Sequence, residues 1–173
     1  QSGDYRLVVT AQNAVAHVGS FAVPDSYFVD SLGDVIAVDG VVTLREAIEA
    51  ANSNTAVGDA HAGSAATTDV IVFDSSLFGH TIVLSGAQLA ILDDVEIRGP
   101  GAESLTIDAG GLSRVFFVGS GVEAVIEGLT LQGGYAENGG AVESQGVFTG
   151  RDLILSGNSA SNQGGGFFGV GTS

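Results

Sequence analysis

The sequence predicts an all-β protein, a right-handed parallel β-helix of about 24–25 residues per rung with a short N-terminal capping helix. A four-residue leucine phrase recurs with a period of about 24 residues, at Leu105–Asp108, Leu129–Gln132 and Leu153–Ser156. A second apolar series has a period of about 25 residues, at Phe117, Val142 and Phe167. Gly, Asn, Ser and Gln fill the intervals in place of helix formers. Each repeat therefore reads as one coil, and stacking the coils buries a core that a single coil cannot.

Composition supports a solenoid with many tight corners. The chain has 173 residues, of which 27 are Gly and 2 are Pro, and 45% are hydrophobic. Glycine adopts the left-handed backbone conformations that sharp corners require. Cysteine is absent, so disulfides and thiolate metal sites are excluded.

The charge of the chain restricts its partners. Twenty Asp and Glu face five basic residues, all Arg, which gives a net charge of −15. A strongly negative protein repels polyanions, so we expect no nucleic-acid partner. No run of 18 apolar residues occurs, and we therefore expect no membrane insertion.

The chain divides into three predicted segments. Residues 1–26 contain a strand pattern at 5–10 and are interpreted as a preceding-domain remnant, a cap or a donor strand. Residues 27–54 form a capping region with a helix at 44–52. Residues 55–173 form the parallel β-helix, which we expect to continue or to be open at its C-terminal end, since no polar capping element follows the last repeat.

The predicted helix carries a clear start signal. Thr43 is a candidate N-cap, and Glu46 stands where a capping box places its acidic residue. Leu44, Ala47, Ile48 and Ala51 share one face. Such a helix can cover the apolar interior and free strand edges that the first rung exposes.

Three aspartates precede the helix and form a candidate calcium site. Asp30, Asp34 and Asp39 alternate with apolar residues, and calcium requires several oxygen ligands. Their spacing does not match an EF-hand loop. The alternative is that they form turns and solubilise the surface.

Two segments resemble known families. Residues 42–52, VTLREAIEAAN, resemble the signature known as CSLREA, with Val-Thr where Cys-Ser is usual. That resemblance implies a large bacterial surface or secreted protein with a β-helix, and no particular reaction. Residues 138–142 and 163–167 resemble the Gly-Gly-Ala-Ile repeats of chlamydial polymorphic outer-membrane proteins, which implies a β-helical adhesin.

An enzyme acting on polysaccharide is one alternative, because many parallel β-helices are lyases or hydrolases. A lyase needs cationic groups, which the absence of Lys makes scarce. A hydrolase needs two carboxylates at one groove. Glu127 and Asp152, almost one rung apart, could stack on one face, and the alternative is that such stacked acids are a solvated surface. The candidate carboxylates on the repeat strands are Asp108, Glu127, Glu143 and Asp152. No histidine has a defensible triad spacing.

The function predicted from these observations is a non-catalytic structural or adhesive β-solenoid module. We expect it to lie outside the cell or on a bacterial surface, and to form homo-oligomers or filaments through its open end and N-terminal strand. A glycan or cell-surface partner remains open. The alternatives are a polysaccharide hydrolase and a calcium-binding module, and calcium is the one cofactor considered.

Overall fold

The protein is a parallel β-solenoid of about four turns with one helix near its N-terminus, as predicted. The computed structural model describes residues 26–170. The strand predicted at residues 5–10, and with it nearly all of the segment 1–26, lies outside the described residues.

Each turn contains three strands. Before the first turn come β1 (Ser26–Val29) and α1 (Leu44–Ser53). The first turn comprises β2 (Asp69–Phe73), a short 3-10 helix (Ser75–Leu77), β3 (His80–Val83) and β4 (Leu89–Ile91). The second comprises β5 (Val95–Arg98), β6 (Leu105–Asp108) and β7 (Phe116–Val118). The third comprises β8 (Glu123–Gln132), β9 (Tyr135–Asn138) and β10 (Val142–Ser144), and the fourth β11 (Val147–Ser156), β12 (Ser159–Gln163) and β13 (Phe167–Gly169).

The strands of successive turns stack in parallel and form three sheets. The largest runs β1-β2-β5-β8-β6-β3, with β11 paired along β8. The long β8 pairs with β5 through its first half and with β6 through its second half. The second sheet runs β4-β7-β10-β13, and the third pairs β9 with β12. The strand pairings between turns are all parallel.

The period of the leucine phrase is confirmed between the later turns. Thr106 of β6 lies opposite Thr130 of β8. Leu129 of β8 in turn lies opposite Leu153 of β11. Equivalent residues of the phrase therefore stack directly on one another from the second turn to the fourth.

Between the second and third turns, opposite residues in the first half of the large sheet are further apart in sequence than in the second half. There Ile97 of β5 lies opposite Ile126 of β8. Residues 99–104 account for the extra length, because they loop out between β5 and β6 where β8 runs straight through. Gly128, the residue of β8 beside this loop, has φ 66°, and a Cβ there would lie 2.7 Å from the Gly99 carbonyl oxygen.

The second apolar series needs one correction. Val142 lies opposite Phe167, as predicted, but its partner in the preceding turn is Phe116 rather than Phe117. Phe116 is fully buried, while Phe117 is half-buried beneath the guanidinium of Arg114, 5.9 Å from its ring centre. This step is one residue longer than the predicted period, and a shift of one residue in a strand moves a side chain to the opposite face.

The interior consists of stacked apolar ladders. The ladders Ile71–Ile97–Ile126, Ile82–Ile107–Leu131 and Leu89–Phe116–Val142 are fully or almost fully buried and belong to one continuous core. Burial of each large side chain stabilises the fold by about 1.5–3 kcal/mol before entropy is subtracted.

The helix begins and caps as predicted. The Thr43 hydroxyl accepts from the backbone of Glu46, whose carboxylate accepts from the backbone of Thr43, which forms the capping box. The helix extends one residue beyond the predicted range, to Ser53, and ends at Asn54, whose φ is 52°. Its apolar face is buried against β1, β2 and β4, so it covers the N-terminal end of the core.

Candidate functional site

Arg45, in the first turn of α1, joins the cap to the first turn of the solenoid. Its guanidinium donates to both carboxylate oxygens of Asp34, each at 2.9 Å. It also donates to the backbone carbonyls of Ala87 and Gln88, at 2.8 and 3.2 Å. Ser85 completes this Arg45 cluster, because its N–H and hydroxyl donate to the same Asp34 oxygen at 2.6 and 2.8 Å. The side chains of Arg45 and Asp34 are 13% and 3% exposed, so the pair is almost entirely removed from water.

Glu46 positions the loop before the helix. One carboxylate oxygen accepts from the N–H of Ala37 at 2.8 Å, and the other accepts from the N–H of Thr43 at 2.9 Å. Gly58 packs so closely against this carboxylate that any Cβ there would overlap it. A buried, fully engaged carboxylate of this kind is a structural group.

The three aspartates of the candidate calcium site have separate partners. Asp34 belongs to the Arg45 cluster. Asp30 and Asp39 accept hydrogen bonds from backbone N–H groups of residues 42 and 41, at 2.7 and 3.3 Å. Within residues 26–170, no three His, Asp or Glu side chains form a group that could hold a metal ion. Calcium binding at Asp30, Asp34 and Asp39 remains a prediction.

The predicted stacking of Glu127 on Asp152 is wrong. The register between β8 and β11 places Arg151 opposite Glu127, because the repeat here is one residue shorter than the spacing that separates the two acids. Arg98 of β5 lies opposite Glu127 on its other side. The glutamate thus lies between two arginines of the outer face, 3.9 Å from the guanidinium of Arg151.

The other candidate carboxylates are also engaged in local contacts. Asp108 accepts from the amide of Gln132 in the next turn at 2.8 Å. Glu143 forms an ion pair with Arg114. Asp152 accepts from the N–H of Ala102 at 3.2 Å, beside an open depression of about 390 Å³. Each of the four candidate carboxylates thus has a partner of its own, whereas hydrolysis uses two carboxylates that face one groove.

Arg98 controls the ionisation of Glu96 on the outer face of β5. Its guanidinium donates to the Glu96 carboxylate at 2.7 Å. This hydrogen bond, together with the attraction of Arg98 and Arg151, lowers the pKa of Glu96, against the opposing effect of partial burial.

Replacing Arg98 with Gln should raise the pKa of Glu96 back toward its ordinary value of 4.5. A carboxylate with a lowered folded-state pKa stabilises the fold above its unfolded-state pKa, and this contribution disappears as the pH falls through the lowered value. An NMR titration of the Glu96 carboxyl carbon in both proteins measures the change. An unchanged midpoint would contradict the assigned cause.

The fourth turn is the last turn that the structure describes. Each of its strands, β11, β12 and β13, pairs with a single neighbour among residues 26–170. Its inward positions, filled in earlier turns by buried residues, are open: Leu155 is 42% and Phe167 46% exposed. The rings of Phe148 and Phe167 stack with centres 5.4 Å apart on this face. This turn is the candidate interaction site.

Sequence reasoning does not find the Arg45 cluster. The sequence presents Arg45 only as a member of the LREA phrase, and its partners Asp34 and Ser85 belong to other segments of the chain. One usable signal is that an Arg is rare in this acidic chain. The charge pattern alone does not reveal which of twenty carboxylates it meets.

The fold defines the protein class as a parallel β-solenoid. No protein-family model, curated protein or solved structure matches the chain. In the part of the chain that the structure describes, no helix is long and apolar enough to cross a membrane.

Proposed function

We propose that the chain is a non-catalytic structural or adhesive module of an extracellular or bacterial surface protein, and that it assembles through its fourth turn. The observation that carries this proposal is the exposed interior of residues 147–170. Unpaired strand edges beside exposed apolar side chains are a template for pairing with another chain. The resemblance of residues 42–52 to the CSLREA signature supports the surface location.

The distribution of charge supports this choice of contact site. The only charged residues between 147 and 170 are Arg151 and Asp152, so this turn is neutral in a chain of net charge −15. Copies of an acidic protein repel one another least where they are neutral. The hydrolase alternative has less support, because its candidate carboxylates are engaged with arginines, an amide and the backbone.

Light scattering over a concentration series, with electron microscopy of the same samples, tests the proposal. We expect concentration-dependent assembly that Leu155→Lys abolishes, since the lysine places a charge on the exposed apolar face. Val83→Lys is the matched control, because Val83 is also exposed, at 57%, but lies in the first turn. A chain that is monomeric at all concentrations would contradict the assembly.

A variant lacking residues 1–25 tests whether the N-terminal strand takes part in the assembly, as the sequence predicts. If the fourth turn makes the contact by itself, the shortened chain should assemble like the full one. Loss of assembly would instead assign the contact to the N-terminal segment, and would overturn the role proposed for the fourth turn.

A further inference from the structure

We infer that the partner of the fourth turn is a second copy of this chain, joined to it end to end about a two-fold axis by antiparallel pairing of β11 with β11. This inference rests on the proposed assembly role and names the partner and its orientation. It is carried by the pattern of inward and outward residues along β11, by its two charges, and by the opposite end of the solenoid.

Along β11, the residues that face inward change from even-numbered to odd-numbered at the corner of the strand. Phe148 and Gly150 lie opposite buried residues of β8, and so do Leu153 and Leu155. Even-numbered residues thus face inward before the corner and odd-numbered residues after it. Asp152, with φ 45°, makes the corner.

This change of parity makes the edge self-complementary. If β11 pairs antiparallel with its copy about the midpoint between Arg151 and Asp152, Phe148 meets Leu155 of the partner subunit and Gly150 meets Leu153 of the partner subunit. Inward residues then face inward residues along the whole strand. A register shifted by one residue would place Phe148 opposite an outward residue, and mismatched faces of this kind are what fixes register in a sheet.

The charges of β11 match in the same register. Arg151 lies opposite Asp152 of the partner subunit, and the two-fold axis repeats that pair. Opposite charges directly across two strands are favourable and like charges are unfavourable. Both residues are exposed: the Arg151 side chain is 60% exposed and lies 3.9 Å from Glu127, and Asp152 accepts from the N–H of Ala102 through one of its two carboxylate oxygens.

The opposite end of the solenoid offers β11 a poorer match. Within residues 26–170, the corresponding strand, β1, has 4 residues against the 10 of β11. The interior at that end is covered by α1. A contact between identical ends is isologous and closes at two subunits.

Disulfide trapping tests the register directly, since the chain contains no cysteine. Thr149 and Ile154 are outward residues that the register places opposite each other, within the distance that a disulfide spans. We therefore expect an oxidised mixture of the Thr149→Cys and Ile154→Cys chains to form covalent dimers. Either chain alone should not, because equivalent residues 149 lie about 17 Å apart at about 3.4 Å per residue.

Thr149→Cys mixed with Val147→Cys is the matched off-register control, on the same face of the same strand. We expect at least about tenfold less covalent dimer from this mixture, because the two positions are about 24 Å apart in the proposed register. Equal trapping in both mixtures, or oligomers without specific trapping, would overturn the two-fold pairing and leave assembly itself standing. A chain that stays monomeric would overturn both proposals.

The variant Arg151→Glu provides an independent test of the same interface. It replaces two opposite-charge pairs with two like-charge pairs, so we expect dimerisation to weaken by about tenfold. Its melting temperature, measured at a concentration where the parent chain is monomeric, reports separately the loss of the contact between Arg151 and Glu127. Undiminished dimerisation would overturn the proposed register.

Discussion

Replacing Phe116 with Ala should lower the free energy of unfolding by about 3–5 kcal/mol. The side chain is fully buried, between Leu89 of the first turn and Val142 of the third. Truncation removes apolar burial and leaves a cavity, because neighbouring turns held by backbone hydrogen bonds cannot collapse fully into the space. Urea denaturation followed by circular dichroism measures the loss.

Phe117→Ala is the matched control, one residue along the same strand. Its ring is half-buried on the outer face beneath Arg114, so we expect a loss of about 1 kcal/mol from the cation–π contact and partial burial. The two variants together test the register. If Phe117→Ala proved the more damaging, the apolar series predicted from the sequence would be right and the observed pairing wrong.

Replacing Arg45 with Met should destabilise the protein by about 3–5 kcal/mol, the usual cost of removing one partner of a buried ion pair. Methionine keeps much of the side-chain volume but leaves the Asp34 carboxylate with only the donors of Ser85. The carbonyls of Ala87 and Gln88 lose their guanidinium donor as well. Thermal and urea unfolding of the variant give the change.

Arg98→Met is the corresponding surface control. The Arg98 side chain is 49% exposed in its pair with Glu96, and exposed ion pairs contribute about 0–1 kcal/mol. Adding Asp34→Asn to Arg45→Met should recover part of the loss, because no uncompensated buried charge remains. Equal effects of Arg45→Met and Arg98→Met would show that the Arg45 cluster does not hold the cap in place.

Much of the architecture is readable from the chain by itself. The regular recurrence of the leucine phrase predicts parallel stacking because each turn has to bury the same face on its neighbour. The helix is readable too, since the Thr43–Glu46 capping box and the apolar face of α1 are local features. Signals of this kind depend only on residues close together in the sequence or on a regular period.

Only the tertiary structure decided which residues lie opposite one another in neighbouring turns, because this depends on strand register. The loop at residues 99–104 lengthens one step, so that Ile97 meets Ile126, and no periodicity in the sequence predicts this. The 24-residue step between β8 and β11 placed Arg151 opposite Glu127 and separated the predicted acid pair, whose members are 25 residues apart. Because strand side chains alternate between faces, an error of one residue reverses which groups are buried and which meet.

For the candidate sites, too, the sequence determined some properties and the tertiary structure determined the others. The sequence by itself determined that the protein is acidic, free of cysteine, built of stacked turns and capped by a helix. Only the tertiary structure decided that Asp34 belongs to Arg45 and Ser85, and that the inward face of the fourth turn is exposed. The physical reason is that ion pairs and exposed faces are made between residues distant in sequence, whose meeting depends on the length of every intervening loop.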